Sequence, residues 1–455
     1  NLESNLTLSG DINFLDIAST DTKNKPTING TYNLYLNATN ENIYVYDFGN
    51  TASLNSLSIE GTGNIFFTGM PNIQGSGGLS LLGQLEFDVG ENREFSYDGD
   101  INFEGTSING SGTLTFTSTS GDISLGDVGV DSEITSLAII SSGKLNLHGD
   151  INLVEPNYDF SNLSAIEIHQ DMTFGNAETE ALVDFGSATI DGTYSLTIYS
   201  KQPSFGIIGS NIALQDLNIY SSGQLNLTDD ITLVGTANIN ADTISLDNNI
   251  TTTGLNINLA SKGDITMSST AALNANFGDI SLSSNSGNIS IGTLSAFELV
   301  NINAQAGSLF NSIDDYVSNT NTSVNITSDN QDIYASNQIG TGVDSPVVID
   351  AQNNGDITLE SNGNIYIANL SNAEITSRST VIDSGTANDS ASVDAHSLFK
   401  LYSLNKVNEP TLEDNSELIS NLAWQVDDEE SVKKIKTPTT VPTIYHSRKG
   451  WRLGH

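Results

Sequence analysis

The 455-residue sequence predicts an all-β solenoid, a right-handed parallel β-helix with a short non-repetitive C-terminal segment that contains one helix. Three observations carry that expectation. Apolar residues alternate with Ser, Thr, Asn and Asp in runs of four to six, the pattern of strands with one buried face. Turns rich in Gly, Asn, Asp and Ser separate the runs, and no helical periodicity intervenes. The runs themselves recur: Ser141-Ser142-Gly143-Lys144-Leu145-Asn146-Leu147 returns as Ser221-Ser222-Gly223-Gln224-Leu225-Asn226-Leu227. A long period in a strand-rich chain belongs to repeat architectures, whose core grows in one direction.

In chain order, the first copy holds Leu6–Phe14, a strand, a Gly-Asp turn and a second strand, and then Ile28-Asn29-Gly30-Thr31-Tyr32-Asn33-Leu34. The second copy gives Ile108-Asn109-Gly110-Ser111-Gly112-Thr113-Leu114, and the third Ile190-Asp191-Gly192-Thr193-Tyr194-Ser195-Leu196. A fourth, looser copy covers Leu282–Ile291 and Leu299–Asn303, and a fifth partial one Val347–Asp350, Gly355–Leu359 and Gly363–Ile367. At about 20 residues per coil, a period of about 80 residues reads as roughly four coils. Inward Leu, Ile, Val and Phe stack on their counterparts in the next coil, and Asn is expected to form ladders along the axis.

The repeat region spans residues 1–376. Residues 377–409 read as a linker or final irregular coils. Residues 410–436 form one amphipathic helix, with Leu418, Ile419, Leu422 and Val426 at helical spacing. Its acidic start (Glu413, Asp414, Glu417) and basic end (Lys433, Lys434, Lys436) suit the helix dipole. Residues 437–455 form a basic aromatic tail.

The formal net charge is −40, and only seven of the fifteen Lys and Arg residues precede residue 400. An acidic body of this kind repels nucleic acid and carries no phosphate-tracking groove. There is no cysteine, which removes disulfides, thiolate metal sites and cysteine nucleophiles. The opening Asn1-Leu2-Glu3-Ser4 reads as a mature product or fragment.

No catalytic or cofactor-binding residue set emerges. His148, His169, His396, His446 and His455 show no metal-ligand spacing in sequence and read as surface or turn residues. No Gly-x-Ser-x-Gly elbow occurs. Carboxylates such as Asp229 and Asp230 read as solvated turn residues rather than a hydrolase pair. The Gly-Asp turns (Asp11, Asp100, Asp122, Asp150, Asp264, Asp279 and Asp356) lack an EF-hand or nonapeptide ligand set, so only diffuse or weak Ca²⁺ binding is expected. Asn-x-Ser/Thr sequons occur at twelve positions, among them Asn29, Asn162, Asn226 and Asn325. The one candidate binding element is the tail, with Tyr445, Arg448, Lys449, Trp451 and Arg452 set to meet an acidic neighbour or an outer-membrane partner.

Runs such as Leu114-Thr115-Phe116-Thr117-Ser118-Thr119-Ser120-Gly121-Asp122-Ile123-Ser124-Leu125, followed by Leu137-Ala138-Ile139 and Gly143–Leu147, resemble filamentous haemagglutinin-type adhesins of bacteria. The resemblance rests on repeat texture over residues 1–375. It implies two-partner secretion through an outer-membrane pore, a β-helix at the cell surface, and adhesive, biofilm-matrix or filament-forming roles. Asn-Pro-Asn-type secretion motifs and the cysteine pair that retains some members at the surface are not present in this sequence. The expected function is therefore a secreted cell-surface structural or adhesive protein without catalysis. Its expected partners are host or community surface glycans or proteins, a secretion partner in the outer membrane, and other copies end to end. The alternative is a carbohydrate-active β-helix enzyme or tailspike-like depolymerase.

Overall fold

The computed structural model describes residues 28–38, 43–45, 48–61, 65–67, 71–82, 92–313, 323–341, 345–353, 355–371 and 375–378. It also describes the strands Leu6–Ser9, Ile12–Asn13, Phe399–Ser403, Ile444–Ser447 and Gly450–Leu453. The expected helix over 410–436 lies outside the described residues. The described chain is all β, its strands, apart from the antiparallel pair Ile444–Ser447 and Gly450–Leu453, stacked in parallel as a β-solenoid. It divides into two compact units, Asn1–Ser221 and Ser222–His455.

In the first unit a nine-stranded parallel sheet runs from Leu6–Ser9 to Thr189–Gly192. Its inward rungs Leu57, Leu79, Ile101, Ile123 and Leu145 follow one another at equal steps, each paired with the next. A second sheet joins Arg93–Tyr97, Thr113–Ser118 and Ser136–Ser141, and another joins Met172–Phe174, Leu196–Tyr199 and Leu217–Tyr220. The strand Thr113–Ser118 shows why alternation encodes this arrangement: Leu114, Phe116 and Ser118 are buried, and the Thr residues between them are half-buried.

The long sequence period does not correspond to four whole coils. Successive coils in the centre of this sheet are offset by 22 residues, as from Asp100 to Asp122 and from Ser124 to Asn146. The period therefore ends short of a fourth full coil, and each copy of the motif starts on a different face. Leu34 lies in the nine-stranded sheet, Leu114 in the three-stranded sheet of Thr113–Ser118, and Leu196 in the sheet of Leu196–Tyr199. Local structure is nevertheless the same in all three copies. The backbone N–H groups of Gly49, Gly129 and Gly209 donate to the carbonyls of Ile28, Ile108 and Ile190 at 2.7, 2.7 and 2.8 Å. The side chains of Asn29, Asn109 and Asp191 accept the N–H groups of Thr51, Asp131 and Asn211 at 2.9, 3.0 and 2.9 Å. Gly30, Gly110 and Gly192 hold φ between 144° and 148°, a region that only glycine enters freely. The motif is thus a corner that ties one coil to the next, which is why its residues recur while those of the plain rungs vary.

The core of the first unit is built around aromatic rings. Phe95 stacks on Phe116 at 5.3 Å, and Phe103 meets both edge-on. Farther along, Phe160, Phe185 and Phe205 form a second stack at 5.6 and 5.7 Å, with Phe174 against its side. Burial raises the Tyr97 hydroxyl far above its ordinary pKa and, with the negative charge of Glu133, pushes Tyr158 up to about 12.

In the second unit, rungs such as Leu225, Ile244, Ile265, Ile289 and Leu309 stack on one another at uneven steps. Hydrogen bonds between its neighbouring coils join residues offset by 18 in one place, Ile231 to Asn249, and by 32 in another, Ala304 to Ser336. Two long parallel sheets share this unit. Of one ten-stranded sheet, the seven strands from Ala237–Ala241 to Ile375–Arg378 lie here, and the other sheet has eight strands from Ile231–Leu233 to Phe399–Ser403. Every buried apolar residue described here is aliphatic or Met267, each fully buried Leu or Ile contributing about 1.5–3 kcal/mol. One rung departs from this: Gln331 stands between Val300 and Ile357, 1% exposed, and neither its amide nitrogen nor its oxygen has a partner. Buried Asn325 is fully used, donating to Asn311 Oδ1 (2.8 Å) and the Gly292 carbonyl (3.1 Å) and accepting from the Val348 N–H (2.9 Å).

Candidate functional site

The Gly-Asp turns do more than reverse the chain. Asp100 Oδ1 accepts the N–H of Asp122 (2.9 Å), and Asp122 Oδ1 accepts that of Lys144 (2.7 Å). Asp264 and Asp279 do the same for Asn288 (2.6 Å) and Leu299 (2.9 Å). Asp230 likewise accepts the Asn249 N–H at 3.0 Å, while Asp229 accepts the Thr228 hydroxyl. These carboxylates accept corner amides of the following coil, tying one coil to the next. The expected Asn ladders are also present, with Asn55 donating to Asn33 (2.6 Å) and Asn258 to Asn238 (2.8 Å). Asn29 and Asn325 are buried, whereas the sequons at Asn162 and Asn226 are exposed.

The outer face of the nine-stranded sheet carries the described groove. Ser80, Asn102, Ser124 and Asn146 stand in register on consecutive strands, side chains outward. With Gly77, Leu79, Asp100 and Asp122 they line a groove of about 250 Å³. Asn146 Nδ2 reaches Ser124 Oγ at 3.2 Å, so the row is partly linked within itself. Hydroxyls, amides and carboxylates at one-coil intervals present alternating donors and acceptors along the sheet axis.

Just past the ends of the strands Ile101–Phe103, Ile123–Leu125, Lys144–Leu147 and Ala165–Ile168 lie Glu104, Gly126, His148 and His169. The rings of His148 and His169 stack at 4.0 Å with planes 4° apart. His148 Nδ1 sits 3.6 Å from Glu104 Oε1, two coils away, a reach left open because the intervening residue is Gly126. A side chain at Gly126 would also strike the Thr106 carbonyl, 2.5 Å from its Cβ position. His169 Nε2 lies 3.8 Å from Glu167 Oε1, and Lys144 Nζ lies 3.0 Å from Glu167 Oε2. Burial, and then the neighbouring His169, lower the His148 pKa against the pull of Glu104 and Glu167. The hydrogen bond that Lys144 donates to Glu167, and the negative charge of Glu167, raise the Lys144 pKa. The two histidines are one coil apart along the chain, and only the coil length makes that spacing meaningful. Among the described residues, no group of three or more His, Asp and Glu is placed to hold a metal ion.

Comparison with protein-family models, with curated proteins and with solved structures finds no match. The chemistry of this surface must therefore be read from its own residues.

The tail residues singled out from sequence lie elsewhere, in the second unit. Ile444–Ser447 and Gly450–Leu453 pair as an antiparallel hairpin, setting Tyr445 opposite Arg452 and His446 opposite Trp451. Arg448 and Lys449, between the strands, lie outside the described residues. The strand Gly450–Leu453 runs beside Ile375–Arg378, the last strand of its sheet.

Proposed function

We propose that this chain is a secreted cell-surface structural or adhesive protein, of the kind that builds adhesins, biofilm matrix or filaments, and that it acts through a repetitive β-solenoid surface without catalysis. The observation that supports it is the groove on the nine-stranded sheet, where Ser80, Asn102, Ser124 and Asn146 repeat polar groups once per coil beside Asp100 and Asp122. A surface that repeats in this way suits an extended polyhydroxylated ligand, such as a surface glycan, bound by many weak contacts in series. The parallel β-solenoid accords with the resemblance to filamentous haemagglutinin-type adhesins, and export by a two-partner route is part of the same proposal.

Asp100 and Asp122 on neighbouring strands also frame the enzyme alternative, since glycoside hydrolysis needs two carboxylates a short distance apart. Each already holds the corner amide of the next coil through Oδ1, which favours a structural role. A glycan array run alongside a reducing-sugar assay separates the readings. Binding without turnover, weakened by Asn102→Ala with Asn146→Ala, is the expected result. Turnover abolished by Asp122→Asn would replace adhesion with hydrolysis.

A further inference from the structure

The row Glu104, Gly126, His148 and His169 runs along one side of the groove. The N–H groups of Gly126, His148 and His169 donate to the carbonyls of Phe103, Leu125 and Leu147, one coil back, at 3.0, 2.8 and 2.8 Å. The four residues are therefore in register on successive coils. Glu104, Gly126 and His148 each stand two residues beyond a groove residue, Asn102, Ser124 or Asn146. A side chain that moves along this row moves beside the groove.

His148 lies between two neighbours that respond to its charge. On one side the His169 ring stacks on it at 4.0 Å with planes 4° apart. On the other, Glu104 Oε1 is 3.6 Å from Nδ1, too far for a hydrogen bond. The intervening coil contributes Gly126, which puts no side chain between them. Among the described residues, no Lys or Arg lies within ion-pair distance of Glu104, so a charged His148 would be its partner. The other charged groups nearby are engaged. Lys144, on the strand that leads to His148, holds Glu167 at 3.0 Å. Asp127 accepts the Asp150 N–H (3.0 Å), and Asp150 accepts the Gln170 amide (3.2 Å).

Charge on His148 thus acts in one direction. A neutral ring gains from its stack on His169. A protonated ring is attracted by Glu104 and, when His169 also carries a proton, repelled by it; both forces point along the axis toward Gly126. Burial and the charge of His169 hold back the protonation of His148, so the two rings charge in separate steps. We propose that His148 is a proton-driven gate on the groove: neutral, it stacks on His169 and leaves the rim beside Ser124 open; protonated, it swings across Gly126 to Glu104 and narrows that rim. The movement follows from this geometry alone, and only its consequence for a glycan rests on the function proposed above.

A pH titration of the full chain with isotope-labelled histidine, followed by NMR, tests the gate, with His148→Gln identifying the signal. The ring-current shift that each stacked ring imposes on the other should vanish as His148 takes its proton. Glu104→Gln should lower the His148 midpoint by about 0.5 in pH, about a threefold loss of proton affinity. A midpoint unmoved by Glu104→Gln, or a stack that persists after protonation, would overturn the gate. An array of neutral oligosaccharides, run at about pH 7.5 and about pH 5, reads the consequence. Binding should weaken about threefold or more at the lower pH in the natural sequence and stay level in His148→Gln. Equal weakening in both proteins would show that the ring does not control the groove and would also overturn the gate. Absence of binding at either pH would count against the glycan reading instead, with the ring signals still deciding whether His148 moves.

Discussion

The two units solve the same packing problem with different fillings. Within Asn1–Ser221 the described core stacks phenylalanines on phenylalanines, and the central rungs keep one constant step over five strands. Within Ser222–His455 the described core holds no aromatic residue, the step varies from coil to coil, and Phe277 and Phe297 stand outside. A parallel solenoid thus asks only that each inward side chain match its counterpart one coil away. Ring on ring and isoleucine on isoleucine meet that demand equally, and dense packing within each stack does the rest. The difference also shows where a residue type carries information. The phenylalanines of the first unit's stacks are architecture, whereas Phe277 and Phe297 lie on the surface and are available to a partner.

The largest expected effect breaks the aromatic stack. Phe116→Ala removes the ring that contacts both Phe95 and Phe103 and should destabilise the first unit by about 3–5 kcal/mol. Hydrogen exchange should show strands Arg93–Tyr97 and Ser136–Ser141 losing protection, with strands of the second unit unchanged, as expected where each coil depends on its neighbours.

The opposite change sharpens the aliphatic side of the comparison. Gln331→Leu replaces an unpartnered buried amide in an otherwise apolar stack and should stabilise the second unit by about 1–3 kcal/mol. A chemical-denaturation midpoint that does not rise would show that Gln331 has a use not visible in its stack.

Smaller effects concern the corners and the histidine pair of the first unit. Asp191→Ala should cost about 0.5–2 kcal/mol, by analogy with loss of a helix cap, because the amides of Asn211 and Ile212 lose their acceptor. Burial pushes the Asp191 pKa up, but the bonds from Asn211 and Ile212 and the charge of Lys144 outweigh it and leave it lowered. Its contribution is therefore complete above the ordinary carboxylate value of 3.8 and is lost as pH falls through the folded value. An acid-unfolding curve that is the same with and without Asp191 would contradict this. His148 behaves in the same sense at higher pH. Its lowered pKa means that stability is full above 6.5 and declines as pH falls through the folded value. His148→Gln should flatten that decline in melting temperatures measured across this range.

Much of the fold was legible in the sequence. Alternation in Thr113–Ser118 and its relatives gave the strands and their buried faces, and the Gly-Asp turns marked the corners. Coil length was harder to see. Identity over the long period comes from corners where a backbone conformation and a capping oxygen are both required, as in Ile108-Asn109-Gly110. Identity from one coil to the next is weak because a rung demands only an apolar side chain, so Leu79, Ile101 and Ile123 serve equally. With the coil length hidden, so were its consequences. The spacing of His148 and His169 looked incidental, and Asn29 and Asn325 passed as sequons rather than internal ties.

Because the chain has no cysteine, paired cysteines can measure the coil length directly. Ser124→Cys with Asn146→Cys places two thiols one coil apart on paired strands, where side chains already touch and the spacing suits a disulfide. Ser58→Cys with Ala138→Cys places them one long period apart, at equivalent positions of the sequence repeat but in different sheets. Under mild oxidation the first pair should cross-link within the monomer and the second should remain reduced. Cross-linking of the second pair and not the first would show that the coils follow the long sequence period, and the register described above would be wrong.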